Sequence, residues 1–341
     1  MGNSLGLPGA KRAVVVLIDG MGYHQVLSRA GHAPFLRPRL RASAPIRTVS
    51  PSTTAAAVTA LGTGCEPGRT AMAGYSLRDP ATGEPFNLIS WNSPVQRAET
   101  WQTEPTIGER LAATGQTLAV VQPPEFVGSG LTNAAWRGTV PYSASSFEAR
   151  IDATIQALTS HRLVYLYWGE LDHTGHGHGW GSEKWIAELE SVDSHLQALA
   201  RALPSETLLL ITADHGMVDI TERIDVAAVP ELSSGVDLVA GEERACQVYT
   251  REPEEVAARW RDLLGGKARI LTKQEWIDTG LLGGTVSEHT ASVIGDVIAF
   301  PQGTLGIGDS RFMSPGALSL IGVHGSLTDE EMDVPLVIEV A

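Results

Sequence analysis

Residues 207–216, TLLLITADHG, set the reading of the chain: a short apolar run that stops on Asp214, His215 and Gly216. Its apolar residues are consecutive rather than alternating, as a strand covered on both faces requires. Three other runs share this character: AVVVLI (13–18), TLAVVQ (117–122) and LVYLYW (163–168). Between them the pattern predicts helices at 104–114, 146–160 and 182–202, punctuated by Pro105, Gly115 and Pro204. Strand–helix–strand repetition of this kind predicts an α/β fold: a doubly wound, mostly parallel sheet with helices on both faces. Such sheets bind ligands at the carboxyl edge of their strands. Asp19 follows the first run directly, Gly169 to His176 follow LVYLYW, and Asp214-His215 end the opening stretch. Three sequence-distant segments are therefore expected at one crevice.

Size and charge narrow the function. The chain has 341 residues, 43% hydrophobic, enough for a substantial core. A formal charge of −14 argues against a nucleic-acid duplex or an anionic membrane as partner. A small anionic substrate stays open, because bound cations can dominate a local field. Cys65 and Cys246 are the only cysteines, and two free thiols in a reducing compartment are expected. The six apolar residues before Asp19 are too few for a signal-peptide core and suit a first strand, and no stretch is long enough to span a membrane. The expectation is a cytoplasmic protein; nothing in the sequence speaks to oligomeric state.

Residues 236–282 differ from the rest. ERACQVYT, EPEEVAARWRDLLGG, ARILT and KQEWIDTG read as strand, helix, strand and short helix. We expect an inserted α+β lobe at 236–282 that shapes one wall of the cleft, leaving 1–235 and 283–341 as the catalytic domain. The alternative is two further layers of the main fold.

The motifs carry oxygen and imidazole donors. Asp19 stands before Gly-Met-Gly, where a turn-former or helix cap is the plain reading. Asp172 and His176 form D-x-x-x-H; a helix puts i and i+4 on one face, whereas Gly175, Gly177 and Gly179 favour an open loop. Asp214 and His215 can serve one ion only if the backbone turns after the strand, which Gly216 permits. His324, in GVHGS, alone reads as structural. Ahead of the alanine-rich run in PSTTAAAVTALGTG stand Ser52, Thr53 and Thr54, as caps or as a hydroxyl nucleophile at a positive helix end. GTGCEPGRT fails the phosphate-loop pattern, with Thr63 in place of the first glycine and Arg69 in place of the lysine. Three Asp, three His and one hydroxyl suffice for two three-donor sites around one nucleophile, a device that binds, polarises and attacks a phosphoryl group. Three aspartates supply about −3 against about +4 from two divalent ions, so a phosphoryl anion is not repelled. Trp168, Trp180 and Tyr75 are candidates to stack on a base.

The order Asp, Thr at a helix start, D-x-x-x-H, Asp-His and His-Gly, spanning residues 13 to 326, resembles the alkaline phosphatase superfamily, and within it the nucleotide pyrophosphatase/phosphodiesterase type. The resemblance implies two zinc-like ions, one on Asp172, His176 and His324, the other on Asp19, Asp214 and His215, with Mn²⁺ compatible with the same set. It implies Thr54, with Thr53 as the alternative, as a nucleophile bridging the ions and forming a phosphothreonine. It places Tyr75 where those enzymes carry a phosphate-binding asparagine; the tyrosine hydroxyl or a neighbouring N–H would have to substitute. The implied substrate is a small-molecule phosphate ester, and the implied reaction is hydrolysis of a phosphodiester or pyrophosphate, nucleotides included. Phosphomonoester or phosphonate (phosphonoacetate-type) hydrolysis with the same metals, and a non-catalytic metal- or phosphate-binding protein, are the alternatives.

Overall fold

The computed structural model describes residues 3–341; residues 1 and 2 lie outside the described residues. The four apolar runs are strands β1 (Arg12–Ile18), β2 (Leu118–Gln122), β4 (Leu163–Trp168) and β5 (Thr207–Thr212), and a strand not expected from the sequence, β3 (Val140–Ser143), joins them. They form a six-stranded sheet in the order Leu336–Val340, β5, β1, β4, β2, β3, with every pair parallel except the terminal strand against β5. The fold is that of an α/β protein with a largely parallel central sheet.

Both faces of the sheet are covered at its centre, which is why β1, β2, β4 and β5 are apolar almost throughout, whereas the edge strands β3 and Leu336–Val340 are partly exposed. Val14, Val16 and Ile18 pack on one side with Phe147 and Trp185, whereas Leu17 packs on the other with Val58. Four helices matter for the site: α1 (Thr54–Thr63), α2 (Phe147–Ala157), α3 (Glu170–His178) and α4 (Glu183–Ala202). Helix α4 buries Trp185, Leu189, Val192, Leu196 and Leu199, a three-to-four spacing that lays one stripe on the sheet. Each such side chain contributes about 1.5–3 kcal/mol of gross burial. The helix begins at Ser182, whose side chain accepts the Trp185 N–H.

Strand register brings the motifs together. Ile18 pairs with Trp168, and Leu17 with Thr212. Asp19, Gly169 and the Ala213–Asp214 step therefore leave the sheet side by side at its carboxyl edge.

Segment 170–178, expected as an open loop, is helical. Glu170 and Asp172 lie in its first turn, where negative charge suits the helix dipole. Gly175 serves close packing: a Cβ there would stand 2.4 Å from Met217 Sδ. Gly179, with φ +83, ends the helix.

A second, four-stranded antiparallel sheet consists of β6 (Val236–Glu242), β7 (Ala245–Thr250), β8 (Ala268–Thr272) and β9 (Val297–Pro301), ordered β6, β7, β9, β8. Helix α5 (Pro253–Leu264) buries Val256, Ala257, Trp260 and Leu264 against it. The sheet extends past the expected limit of residue 282, because β9 pairs with both β7 and β8 and supplies an inner strand. A short apolar run such as VIAFP does not reveal which sheet it will join.

The β6–β7 turn is anchored by a fully buried ion pair. The Arg244 guanidinium donates from Nε and Nη2 to Glu331 Oε1 and Oε2 at 3.0 and 2.6 Å, and from Nη1 to the Leu305 carbonyl. Glu331 also accepts the Ser326 N–H and the Thr328 hydroxyl, so the pair fixes the segment that follows His324. Glu331→Ala strands a buried guanidinium and is expected to lower stability by about 3–5 kcal/mol. Chemical denaturation checks this; a loss below about 1 kcal/mol would mean that the pair is not the anchor described.

Candidate metal centre

The six carboxylate and imidazole side chains singled out in the sequence meet at the sheet edge in two groups of three. Asp172, His176 and His324 form one group, and Asp19, Asp214 and His215 the other. Within each, donor atoms lie within 4.8 Å of one another, close enough to hold one ion.

Asp19 and Asp214 are each fixed through one oxygen and free at the other, whereas Asp172 faces the imidazoles of its own group. The Tyr167 hydroxyl donates to Asp19 Oδ2 at 2.5 Å, leaving Asp19 Oδ1 buried without a hydrogen-bond partner, 3.3 Å from His215 Nε2. The N–H groups of Gly20 and His215 both donate to Asp214 Oδ1 at 3.1 Å; Asp214 Oδ2 has no hydrogen-bond partner. Asp172 Oδ2 lies 3.0 Å from His176 Nε2 one helical turn on, and Asp172 Oδ1 is unpartnered, 4.0 Å from His324 Nε2.

The histidines are fixed just as consistently. Nδ1 of His176, His215 and His324 lies 2.7, 2.9 and 2.9 Å from the carbonyl oxygens of Gly322, Gly216 and Ser52. A carbonyl only accepts, so each Nδ1 carries a proton and each ring turns its Nε2 inward, the nitrogen that offers a lone pair when a cation takes the place of its proton. This is the usual orientation device for metal-binding imidazoles. The His215 and His324 rings stack with centroids 3.5 Å apart.

Without cations the cluster is electrostatically strained. Burial drives the Asp214 carboxyl well above its ordinary value, and Asp19 drives it further. Burial opposes protonation of His215, but Asp214, Asp19 and Asp172 outweigh it and lift the imidazole to about 10. Burial and His215 together hold His324 well below its usual value. Three unpartnered carboxylate oxygens and three inward lone pairs fit divalent cations, and the mixed nitrogen–oxygen donor set suits ions such as Zn²⁺.

Thr54 is the first residue of α1, with Oγ1 3.1 Å from His215 Nε2. Neither Ser52 nor Thr53 caps the helix: Ser52 donates to the Ser326 carbonyl, and the Thr53 hydroxyl is buried without a partner. Above the cluster opens a cleft of about 730 Å³, lined by Asp19, Thr53, Thr54, Tyr75, Asp172, His176 and His324, while Asp214 and His215 lie beneath it. Tyr75 is 41% exposed, and its N–H donates to Glu242 Oε2 at 3.1 Å.

Several lining residues were not read from the sequence. Phe126 and Tyr167 form an aromatic wall, with ring centroids 5.8 Å apart. Tyr167 belongs to an apolar strand and Phe126 to a loop, so neither carried a local signal. Trp168 and Trp180, expected as stacking candidates, do not line the cleft: Trp168 stacks on Phe147 in the core, and Trp180 packs edge-on to Trp185. Among the described lining residues Arg150 is the only Lys or Arg, and its guanidinium donates to the carbonyls of Ala144, Tyr167 and Ser145.

Residues 13–305 match the type I phosphodiesterase / nucleotide pyrophosphatase family. Among solved structures, murine ectonucleotide pyrophosphatase / phosphodiesterase 5, in an inactive threonine-to-alanine form in complex with AMP, matches with a TM-score of 0.74 at 17% identity. The match covers 96% of this chain and 88% of that one. The human protein of the same name matches with a TM-score of 0.74 at 18% identity, over 96% and 87%. Phosphonoacetate hydrolase from Sinorhizobium meliloti 1021, in complex with phosphonoacetate, matches with a TM-score of 0.74 at 19% identity, over 97% and 91%. At such identities the likeness is one of fold. No curated protein matches the sequence.

Cations that bind the folded centre must stabilise it. Zn²⁺ or Mn²⁺ at a hundredfold its dissociation constant is expected to add about 2.7 kcal/mol per site, read as a raised melting temperature. The rise should shrink in Asp172→Ala and in Asp214→Ala. A melting curve that cations leave unmoved would remove the metal reading.

Proposed function

The chain belongs to the type I phosphodiesterase / nucleotide pyrophosphatase family of the alkaline phosphatase superfamily, a phosphoryl hydrolase lineage, and from that premise we propose that it cleaves phosphodiester or pyrophosphate bonds through a phosphothreonine at Thr54. The observation that carries the proposal is the position of the Thr54 hydroxyl, 3.1 Å from His215 Nε2 of one donor triad, in the cleft that the other triad also lines, and at the N-terminal end of a ten-residue helix.

Asp172, His176 and His324 would hold one divalent cation, and Asp19, Asp214 and His215 the other. When bound, two such ions polarise phosphoryl oxygens and lower the pKa of a nearby hydroxyl. Zn²⁺ is our first choice, with Mn²⁺ compatible with the same donors. The protein's own part is positional. Thr54 Oγ attacks phosphorus in line, its bond to phosphorus forms as the bond to the leaving oxygen breaks, and water then hydrolyses the phosphothreonine. The positive end of α1 favours the phosphoryl charge at this position. Tyr167 and the Gly20 N–H keep Asp19 and Asp214 from rotating away. The inactive threonine-to-alanine form of the murine neighbour is in keeping with a threonine nucleophile.

Two features favour a diester or nucleotide over a small phosphonate. The cleft is roomy, and its Phe126–Tyr167 wall and Tyr75 offer aromatic faces to a leaving group. A carboxylate-bearing phosphonate would want a free cation, and Arg150 has three donors committed to backbone carbonyls. Phosphonoacetate-type hydrolysis is the second reading, motivated by the fold match to that hydrolase. Two unpaired, buried thiols suit a reducing, cytoplasmic setting. Among the described residues no helix is long and apolar enough to cross a membrane.

Thr54→Ala is expected to abolish turnover of aryl phosphodiesters and dinucleotides while metal content stays near that of the parent; Thr53→Ala should keep its activity within about tenfold, since it forms no bond to phosphorus. Activity retained in Thr54→Ala and lost in Thr53→Ala would move the nucleophile by one residue. A strong preference for monoesters or phosphonoacetate in the same assays would overturn the diester assignment.

A further inference from the structure

The cleft carries charge that neither triad uses. Four glutamates outside the triads line it: Glu125, Glu170, Glu242 and Glu243. Glu243 is paired with Arg223, and Glu242 accepts the Tyr75 N–H. Glu125 and Glu170 differ from these two. Both are exposed, and among the described residues neither finds a cation within 4.0 Å. They accompany an aromatic pair. Glu125 directly precedes Phe126, Glu170 opens helix α3 shortly after Tyr167, and the Phe126 and Tyr167 rings lie 5.8 Å apart. Phe126 is 38% exposed, so this wall is open to an incoming molecule.

The positive side chain nearby is already engaged. Arg150 is buried, and its guanidinium donates to the carbonyls of Ala144, Tyr167 and Ser145. Burial pulls that guanidinium below its ordinary value, while Tyr167, Glu170 and Glu125 work the other way, which places both carboxylates on this side of the cleft. One cation against two carboxylates leaves this wall net negative.

The metal centre does not reverse that sign. Two divalent cations bring about +4, the three aspartates about −3, and an ionised Thr54 hydroxyl takes up the rest. A diester adds one negative charge, on the scissile phosphoryl itself, where the centre and the N-terminal end of α1 receive it. Any negative charge the substrate carries beyond that group meets Glu125 and Glu170, and Arg150, the only Lys or Arg among the described lining residues, is committed elsewhere. A neutral or positively charged group meets no such repulsion, and aromatic faces accept either.

We infer that Glu125 and Glu170 select substrate by charge: the scissile phosphoryl is the one anionic group this cleft accepts, so the substrate is a phosphodiester of uncharged or cationic alcohols. The inference rests on the phosphohydrolase reading above and chooses between its two bonds, because the second phosphoryl of a pyrophosphate would bring further negative charge to this wall.

The test uses the full chain loaded with Zn²⁺ at about pH 8, above the ordinary imidazole range. Three p-nitrophenyl phosphodiesters serve as substrates, similar in size and differing in the charge of the second alcohol: 2-ammonioethyl, propyl and 2-carboxyethyl. Each releases the same p-nitrophenolate. kcat/KM should fall in that order, with the propyl ester ahead of the carboxyethyl ester by about fivefold at low salt, the scale of one exposed charge contact. The gap should narrow at high salt, narrow in Glu125→Gln and in Glu170→Gln, and close in the double variant, whereas Glu125→Asp with Glu170→Asp should keep the order. A carboxyethyl ester handled by the parent as well as the propyl ester overturns the inference, as does an order that persists in the double glutamine variant. Should that variant misfold, the salt series and the single variants decide. A parent enzyme that hydrolyses none of the three removes the function proposed above, and calorimetric affinities of the same esters for the Zn²⁺-loaded chain would then still show whether the two carboxylates select by charge.

Discussion

Three carboxylates gathered in a space from which water is largely excluded cannot all keep their charge unaided. Asp19, Asp172 and Asp214 are brought together at the edge of one sheet, each with an oxygen that no protein donor satisfies. The rest of the centre follows from that constraint. Asp19 and Asp214 are pinned on their far sides by a hydroxyl and by backbone N–H groups, and the three imidazoles are pinned through Nδ1 by carbonyls. The donor atoms left over face a common interior. A donor set held so firmly from its outer side is one that a cation could bind with little rearrangement.

The central sheet was legible in the sequence because burial on both faces forces consecutive apolar residues, and because three of the motifs follow such runs. Register does the remainder: once Ile18 pairs with Trp168 and Leu17 with Thr212, the motifs have no freedom to diverge. The helix at 170–178 was harder to see. Its glycines resemble those of a loop, yet Gly175 answers a packing contact with Met217, sequence-distant and invisible in local composition. The same reason hid β9, whose partners lie on either side of it only after the chain has folded. The cleft walls were the least legible part. Phe126, Arg150 and Glu242 matter through what they face, whereas Trp168, conspicuous as a large aromatic, is consumed by the core.

The division of labour between the two sheets is physical as well as topological. The parallel sheet supplies five of the six donors, Asp19, Asp172, His176, Asp214 and His215, from the segments that follow its strands, and His324 follows a separate short strand. The antiparallel sheet supplies Glu242 from the end of an outer strand, where change is tolerated more readily. Within this family fold, the wall is where substrate preference can vary without disturbing the donors.

The Arg244–Glu331 pair sets a limit on that freedom. Its two halves belong to different sheets' neighbourhoods, one in the β6–β7 turn, the other just beyond the loop bearing His324. The antiparallel lobe is therefore not a detachable cassette. Grafting residues 236–301 onto another member of the fold would import a guanidinium with no counter-ion unless residues 326–331 travelled with it, so these two stretches are expected to be inherited and exchanged as a single unit.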